Sequence, residues 1–279
     1  MDAYLQKEGA RRPAVIVVHG GGWTSGSRVS RVGQLLEMLT SAGFSWFSID
    51  YRLAPEHPFP AALDDLRAAF HLVRARAGEL RIDPHRVAIL GEDAGAHLAL
   101  LLAAEQPSGL AAVVSLGGIY DLASLDPGKK PGSRLEAFLG LEARSAAGEA
   151  ALASASPLAT VVPGMAPILT VHGGGDSQVP PVQAHQYHDA LTRAGVEVRL
   201  LEVPEAVHDV ESWWPRHWYY TDEVVGWLSE RLGLAEPRHT PYRDERLTKN
   251  IVFGTWEMAG GEVEELLLDA WVPPGEGPF

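Results

Sequence analysis

The sequence predicts a doubly wound α/β fold. Short β-branched runs alternate with longer amphipathic stretches, six strand-like runs each end in a turn able to carry function, and the chain is long enough to bury one large core. Such alternation is the pattern of a parallel sheet flanked by helices on both faces. With 279 residues, 46% hydrophobic and 21% charged, the chain fits a single α/β domain.

In chain order, strands are expected at residues 14–18, 45–49, 87–90, 112–116, 168–171 and 196–203. The first is the unbroken run Ala-Val-Ile-Val-Val, which suits a strand buried on both faces. Helices are expected between them at 32–41, 61–77, 94–104, 181–194 and 218–232. Residues 121–157 carry Gly, Pro, Lys and Ala-rich turns with a helical patch at 135–139, and interrupt the alternation after the fourth strand. An insertion there would sit above the strand C-terminal edge, where ligands bind. Beyond the last helix come a polar linker, 236–245, and two strand-like runs, 250–256 and 263–272, joined by Ala259-Gly260-Gly261 as a hairpin turn.

Composition narrows the function classes. A formal net charge of −13 repels phosphate backbones and anionic lipid, and no Lys/Arg run offsets it, so neither nucleic acid nor a membrane surface is expected as a partner. The absence of Cys removes disulfides and thiolate metal sites and is compatible with a reducing cytosol. Residues 1–12 are polar, and the apolar run at 14–18 is too short for a signal segment or a membrane span. The expectation is a cytoplasmic protein. No His pair has metal-ligand spacing with a carboxylate, so neither a metal nor another cofactor is implied.

Gly91-Glu92-Asp93-Ala94-Gly95 has the shape of a G-x-S-x-G nucleophile elbow with aspartate in the serine position. His19-Gly20-Gly21-Gly22-Trp23 follows a buried strand, and its glycines let backbone N–H groups turn toward a ligand. Asp50 to Ala62 contains Tyr-Arg-Leu-Ala-Pro-Glu-His-Pro-Phe-Pro, in which the prolines and the charges of Asp50, Arg52 and Glu56 brace a loop. Asp176 lies in the glycine-rich loop after one strand, and His208 after the next.

In this order and at this spacing the motifs resemble the hormone-sensitive-lipase-like esterases of the α/β-hydrolase fold, with their small bacterial carboxylesterase relatives, over about residues 13–232. The resemblance implies that Gly21, Gly22 and Ala94 form an oxyanion hole, that Asp176 orients His208, and that Asp93 holds the nucleophile position. It also implies an eight-stranded, mostly parallel sheet. In such esterases a hairpin like 249–274 comes first; here it comes last, as in a circular permutation in which the C-terminal segment supplies the first two strands. Residues 1–235 would then be the core of one domain and 236–279 the permuted segment, or a segment swapped with a second copy in a homodimer.

Five aromatics, Trp213, Trp214, Trp218, Tyr219 and Tyr220, crowd the stretch after His208. They either pack the last helix or, for Trp213 and Trp214 together with Trp23 and Phe59, wall a pocket for a small apolar substrate. The aspartate decides the chemistry. A carboxylate attacking an ester carbonyl makes a mixed anhydride that collapses backward, because carboxylate leaves more readily than alkoxide. Attack on an sp3 carbon bearing a halide, or on an epoxide, leaves a stable alkyl ester that His208 could hydrolyse, as in the dehalogenases and epoxide hydrolases of the wider fold. Two alternatives stand beside this hydrolase: a lyase, cyclase or isomerase using Asp93 and His208 as base and acid, and a binding protein whose nucleophile was replaced.

Overall fold

A computed structural model describes residues 1–6, 11–105, 109–125, 133–143, 145–214 and 216–234, and the strands 247–257 and 263–271. The chain divides into two compact units, Met1–Pro237 and Arg238–Phe279, parted within the stretch expected as a linker.

The first unit is built on a seven-stranded sheet. Its N-terminal half comprises β1 (Asp2–Tyr4), β2 (Arg12–Val18), α1 (Gly33–Ala42), β3 (Ser45–Ile49), α2 (Ala61–Ala75), the short α3 (Ala77–Leu80), β4 (Ile82–Glu92) and α4 (Ala94–Glu105). There follow β5 (Ala112–Leu116), α5 (Arg134–Leu139), α6 (Ala146–Ser154), β6 (Ile168–Gly173), α7 (Pro181–Arg193), β7 (Val198–Val203) and α8 (Tyr219–Arg231). The strand order is β1-β3-β2-β4-β5-β6-β7, parallel throughout except for β1. All six expected strands form. β4 begins five residues earlier than anticipated because Ile82 pairs with Arg12 across an irregularity between Arg12 and Ala14.

Strand periodicity sorts the core into two layers. Ala14, Ile16 and Val18 of β2 pack with Leu66 and Phe70 of α2, Leu98 and Leu102 of α4 and Leu191 of α7. Val15 and Val17 face the other way, onto Leu35 and Leu39 of α1 and Val224 and Leu228 of α8. Each such Val, Leu, Ile or Phe side chain stabilises the fold by about 1.5–3 kcal/mol on burial. α4 is apolar on all sides and buried from Ala94 through Ala103, as a helix running through the middle of the structure must be. It fixes the elbow at its own N-terminus. No described helix is long and apolar enough to cross a membrane.

Three expectations change. Among the described residues the sheet has seven strands, not eight. The antiparallel strand beside β3 is the chain's own N-terminal Asp2–Tyr4, with Asp2 opposite Ser48 and Tyr4 opposite Trp46, so that place is not supplied by the C-terminal segment. The segment instead forms β8 (Leu247–Glu257) and β9 (Val263–Trp271), which pair antiparallel with each other as a second sheet. The expected turn at Ala259-Gly260-Gly261 and the linker at 236–245 lie outside the described residues. In the insertion, α5 matches the anticipated patch, whereas α6 was not expected; Ser145 caps it by accepting from the Gly148 N–H at 3.0 Å.

Candidate active site

The turn from β4 into α4 is sharp because two glycines allow it. A Cβ at Gly95 would stand 2.2 Å from the Val18 carbonyl oxygen, so no larger residue fits where α4 passes the end of β2. Between them Asp93 adopts φ +50°, in the sparsely populated left-handed region. Its N–H donates to the Leu116 carbonyl at 3.0 Å and its carbonyl accepts from the His97 N–H at 3.0 Å. The side chain is thereby aimed into the cleft above the sheet.

The glycine turn after β2 meets it there. Gly21 has φ +113°, and a Cβ on it would lie 2.3 Å from the Ser25 carbonyl oxygen. In this conformation the Gly21 and Gly22 N–H groups both donate to Asp93 Oδ2, at 2.9 and 3.0 Å. Ala94, fully buried, heads α4 beside them. Two of the three residues expected as oxyanion donors therefore hold one oxygen of Asp93.

The other oxygen faces the histidine. His208, in the loop after β7, places Nε2 3.3 Å from Asp93 Oδ1 and Nδ1 2.8 Å from Asp176 Oδ2. Asp176, in the loop after β6, is itself pinned: its Oδ1 accepts from the N–H groups of Gln178 and Val179, each at 2.8 Å. The order of contacts is Asp176, His208, Asp93, then the glycine amides.

Charge follows from this geometry. Burial alone would lower the pKa of His208, but hydrogen bonds and attraction from Asp176 and Asp93 reverse that and push it up to about 10. Burial works against both carboxylates, yet the ring holds each below the usual range, helped at Asp93 by the Gly21 and Gly22 amides. The resting site is an imidazolium between two carboxylates. Glu92, the neighbour of Asp93, is pushed up to about 7, first by burial and then by the Asp93 charge.

A consequence for stability can be measured. His208 binds its proton more tightly folded than unfolded, so its contribution is complete below about pH 6.5 and is lost as pH rises through about 10. The denaturant midpoint should fall further over this range in the parent protein than in His208→Gln. Equal falls would show that the two carboxylates do not hold the ring.

The cleft has a volume of about 840 Å³ and is lined by Gly20 to Trp23, Glu92, Asp93 and His208, with Ile119, Leu125, Leu135 and Val179 as an apolar wall and Ser25, Ser30, Arg31, Ser133, Arg134, Gln178 and Asp209 as polar groups. Of the four aromatics expected to wall it, Trp23 does. Phe59 instead packs on Phe138, with ring centroids 5.3 Å apart. Trp213 is buried against Tyr220, 5.4 Å between centroids, and its indole N–H donates to the Val207 carbonyl at 2.6 Å. Trp214 is half-buried and is not among the lining residues. Trp213 serves packing because the core beneath the loop after β7 takes up its ring.

Sequence reasoning passed over three residues here. Buried His97 accepts from the Trp23 indole N–H at 3.3 Å through Nδ1 and bonds the Ala155 carbonyl at 2.7 Å through Nε2, tying the glycine turn to the end of α6. Glu92 and Arg134 line the cleft. Of the charges expected to brace the loop after β3, Arg52 pairs with Asp65 at 2.9 Å and Asp50 with Arg28 at 2.6 Å, whereas Glu56 makes no ion pair among the described residues.

The chain is similar to known proteins along most of its length. The BD-FAE family profile matches residues 1–191. Esterase LipC of Mycobacterium tuberculosis is 30% identical over 227 residues, 75% of this chain and 56% of LipC, and Esterase LipU of the same organism is 30% identical over 228 residues, 74% of this chain and 73% of LipU. The chain thus spans about half the length of several curated relatives it matches, including LipC. Among solved structures, an acetyl ester-xyloside bifunctional hydrolase from Caldicellulosiruptor lactoaceticus superimposes with a TM-score of 0.71 at 26% identity, covering 83% of this chain and 87% of that one. The extent of these matches, together with the seven-stranded sheet and its helices, makes the chain a member of the BD-FAE family of α/β-hydrolase-fold carboxylesterases.

Proposed function

We propose that the chain is a hydrolase in which the Asp93 carboxylate is the nucleophile, attacking an sp3 carbon of a small substrate whose apolar body lies against Ile119, Leu125, Leu135 and Val179. The observation carrying this reading is the division of labour within one carboxylate that lines the cleft: Oδ2 is held by Gly21 and Gly22, while Oδ1 meets only the His208 ring among the described residues.

In the first step Oδ1 forms a bond to the carbon as the leaving group departs with its electron pair, giving an alkyl ester of Asp93. Esterification removes the Asp93 charge, one of the influences that keep His208 protonated, so the ring releases its proton to solvent and becomes a base. Neutral Nε2 then takes a proton from a water adding to Cγ. The negative charge forming on Oδ2 falls where the two glycine amides already donate. Collapse expels the alkoxide, which is protonated by His208, and the remaining carboxylic acid returns its proton to the ring. Substrate and water become alcohol, a proton and the free leaving group; with an epoxide the leaving oxygen stays attached and takes up that proton, giving a diol.

The test is a single turnover in heavy-oxygen water with a panel of haloalkanes and epoxides, followed by mass spectrometry of the Asp93 peptide. One heavy oxygen should enter that peptide. Turnover without label removes the covalent path and favours a second reading, elimination or isomerisation by the Asp93 and His208 pair, which the resting imidazolium 3.3 Å from the carboxylate supports. Ligand retention with no turnover at all would leave a binding protein.

A further inference from the structure

Arg134, the first residue of α5, lies over the glycine turn. A Cβ placed on Gly22 would come 3.0 Å from its Cδ and 3.4 Å from Nη1, and the side chain lines the same cleft as Asp93 and His208. Its charge is uncommitted among the described residues. Among the described residues Arg134 makes no hydrogen bond or ion pair, whereas the other arginine of the cleft, Arg31, is bound to Asp209 and to Glu211. The acids of the cleft are already matched: Asp93 by His208 and the glycine amides, Asp209 by Arg31. Glu92 is buried, and the guanidinium that acts on it is that of Arg31.

An unpaired guanidinium beside a nucleophile has a defined chemical complement. Its planar fork matches a carboxylate through two parallel N–H bonds. Because Gly22 donates to Asp93 Oδ2 and its Cβ position abuts Arg134, an anion on that fork is held at the same glycine turn as Asp93. A dianion there would face Asp93 and Glu92 with one positive charge unable to neutralise it. A monoanion is balanced. In a chain of net charge −13, a small anion is concentrated only where a local cation draws it in, which gives this one side chain a large share of the recognition.

We infer that Arg134 is a specificity-determining residue that grips a carboxylate carried by the substrate, so that the substrate class is a small carboxylic acid bearing its leaving group on an sp3 carbon close to the carboxylate. The leaving-group part of this assignment rests on Asp93 acting as nucleophile; the carboxylate part rests on Arg134 alone.

Two measurements keep these parts separate. In the first, propionate binding to the full chain is followed by calorimetry, with Arg134→Gln and Arg134→Lys for comparison; no turnover is involved. Propionate should bind the parent, and Arg134→Gln should weaken it about tenfold or more, the worth of a hydrogen-bonded charge pair. Arg134→Lys should recover part of the loss. Equal binding by parent and Arg134→Gln, or no binding to the parent, overturns the inference, and inorganic phosphate binding more tightly than propionate overturns the choice of a carboxylate. In the second, 2-bromopropionate and 2-bromopropionamide are compared. The ratio of their kcat/KM values should favour the acid in the parent and drop about tenfold or more in Arg134→Gln. An unchanged ratio counts against Arg134; failure of both compounds to esterify Asp93 counts against the nucleophile reading, while the propionate result still decides on Arg134.

Discussion

Asp93→Ser is expected to turn the protein into an esterase, with p-nitrophenyl acetate hydrolysis rising by roughly 10³-fold or more over the parent. The expectation follows from what the aspartate occupies. Its Oδ2 fills the place a carbonyl oxyanion would take, bonded to Gly21 and Gly22, so an ester cannot use those donors while the carboxylate holds them. Serine is shorter and leaves them free. Removing the Asp93 charge also removes part of what raises the His208 pKa to about 10, bringing the ring toward the range of a general base. Asp176 keeps its three contacts, to His208, Gln178 and Val179, and continues to orient the ring. The elbow itself is unaltered, since Gly91 and Gly95 still permit the turn. A variant that folds like the parent yet gains no ester hydrolysis would mean that the cleft is built against acyl substrates, and ester hydrolysis could not be reached by changing one side chain.

What the sequence disclosed and what it hid divide along a physical line. Strands buried on both faces were legible because burial demands an unbroken apolar run, as in Ala14 to Val18, all of them fully inaccessible. The meeting of Asp176 with His208 was legible because both lie in loops just beyond strand ends, where this fold gathers its functional side chains. The edge strand β1 was not: three exposed residues carry no burial pattern. A different signal was available, since Met-Asp-Ala-Tyr at 1–4 has a near-copy, Leu-Asp-Ala-Trp, at 268–271, and both lie mainly in strands. Phe59 and Trp213 were misjudged because an aromatic residue announces that it will be buried without saying against what. Arg134 was invisible for the opposite reason. An arginine in an irregular insertion reads as solvated surface until the insertion is seen to lay it on Gly22.

His208→Gln should stop the reaction halfway, and this second large effect tests the order of events within the site. The first step needs only the Asp93 carboxylate, whose anion the Gly21 and Gly22 amides still hold when the ring is gone. The second step needs a base for water, and glutamine cannot supply one. Steady-state turnover should therefore fall by about 10²–10⁴-fold, the usual worth of a positioned general base. Release of the leaving group should persist as a burst of about one equivalent per active site. Intact-protein mass spectrometry should then find the alkyl group on Asp93, stable for as long as the ester resists uncatalysed water. Arrest with no burst and no adduct would remove Asp93 as nucleophile and leave the acid and base pair as the better account. Undiminished turnover would remove His208 from the chemistry altogether, despite its 2.8 Å bond to Asp176. Adduct on Asp93 in the variant, with a clean Asp93 in the parent, is the pattern that only a two-step carboxylate mechanism produces.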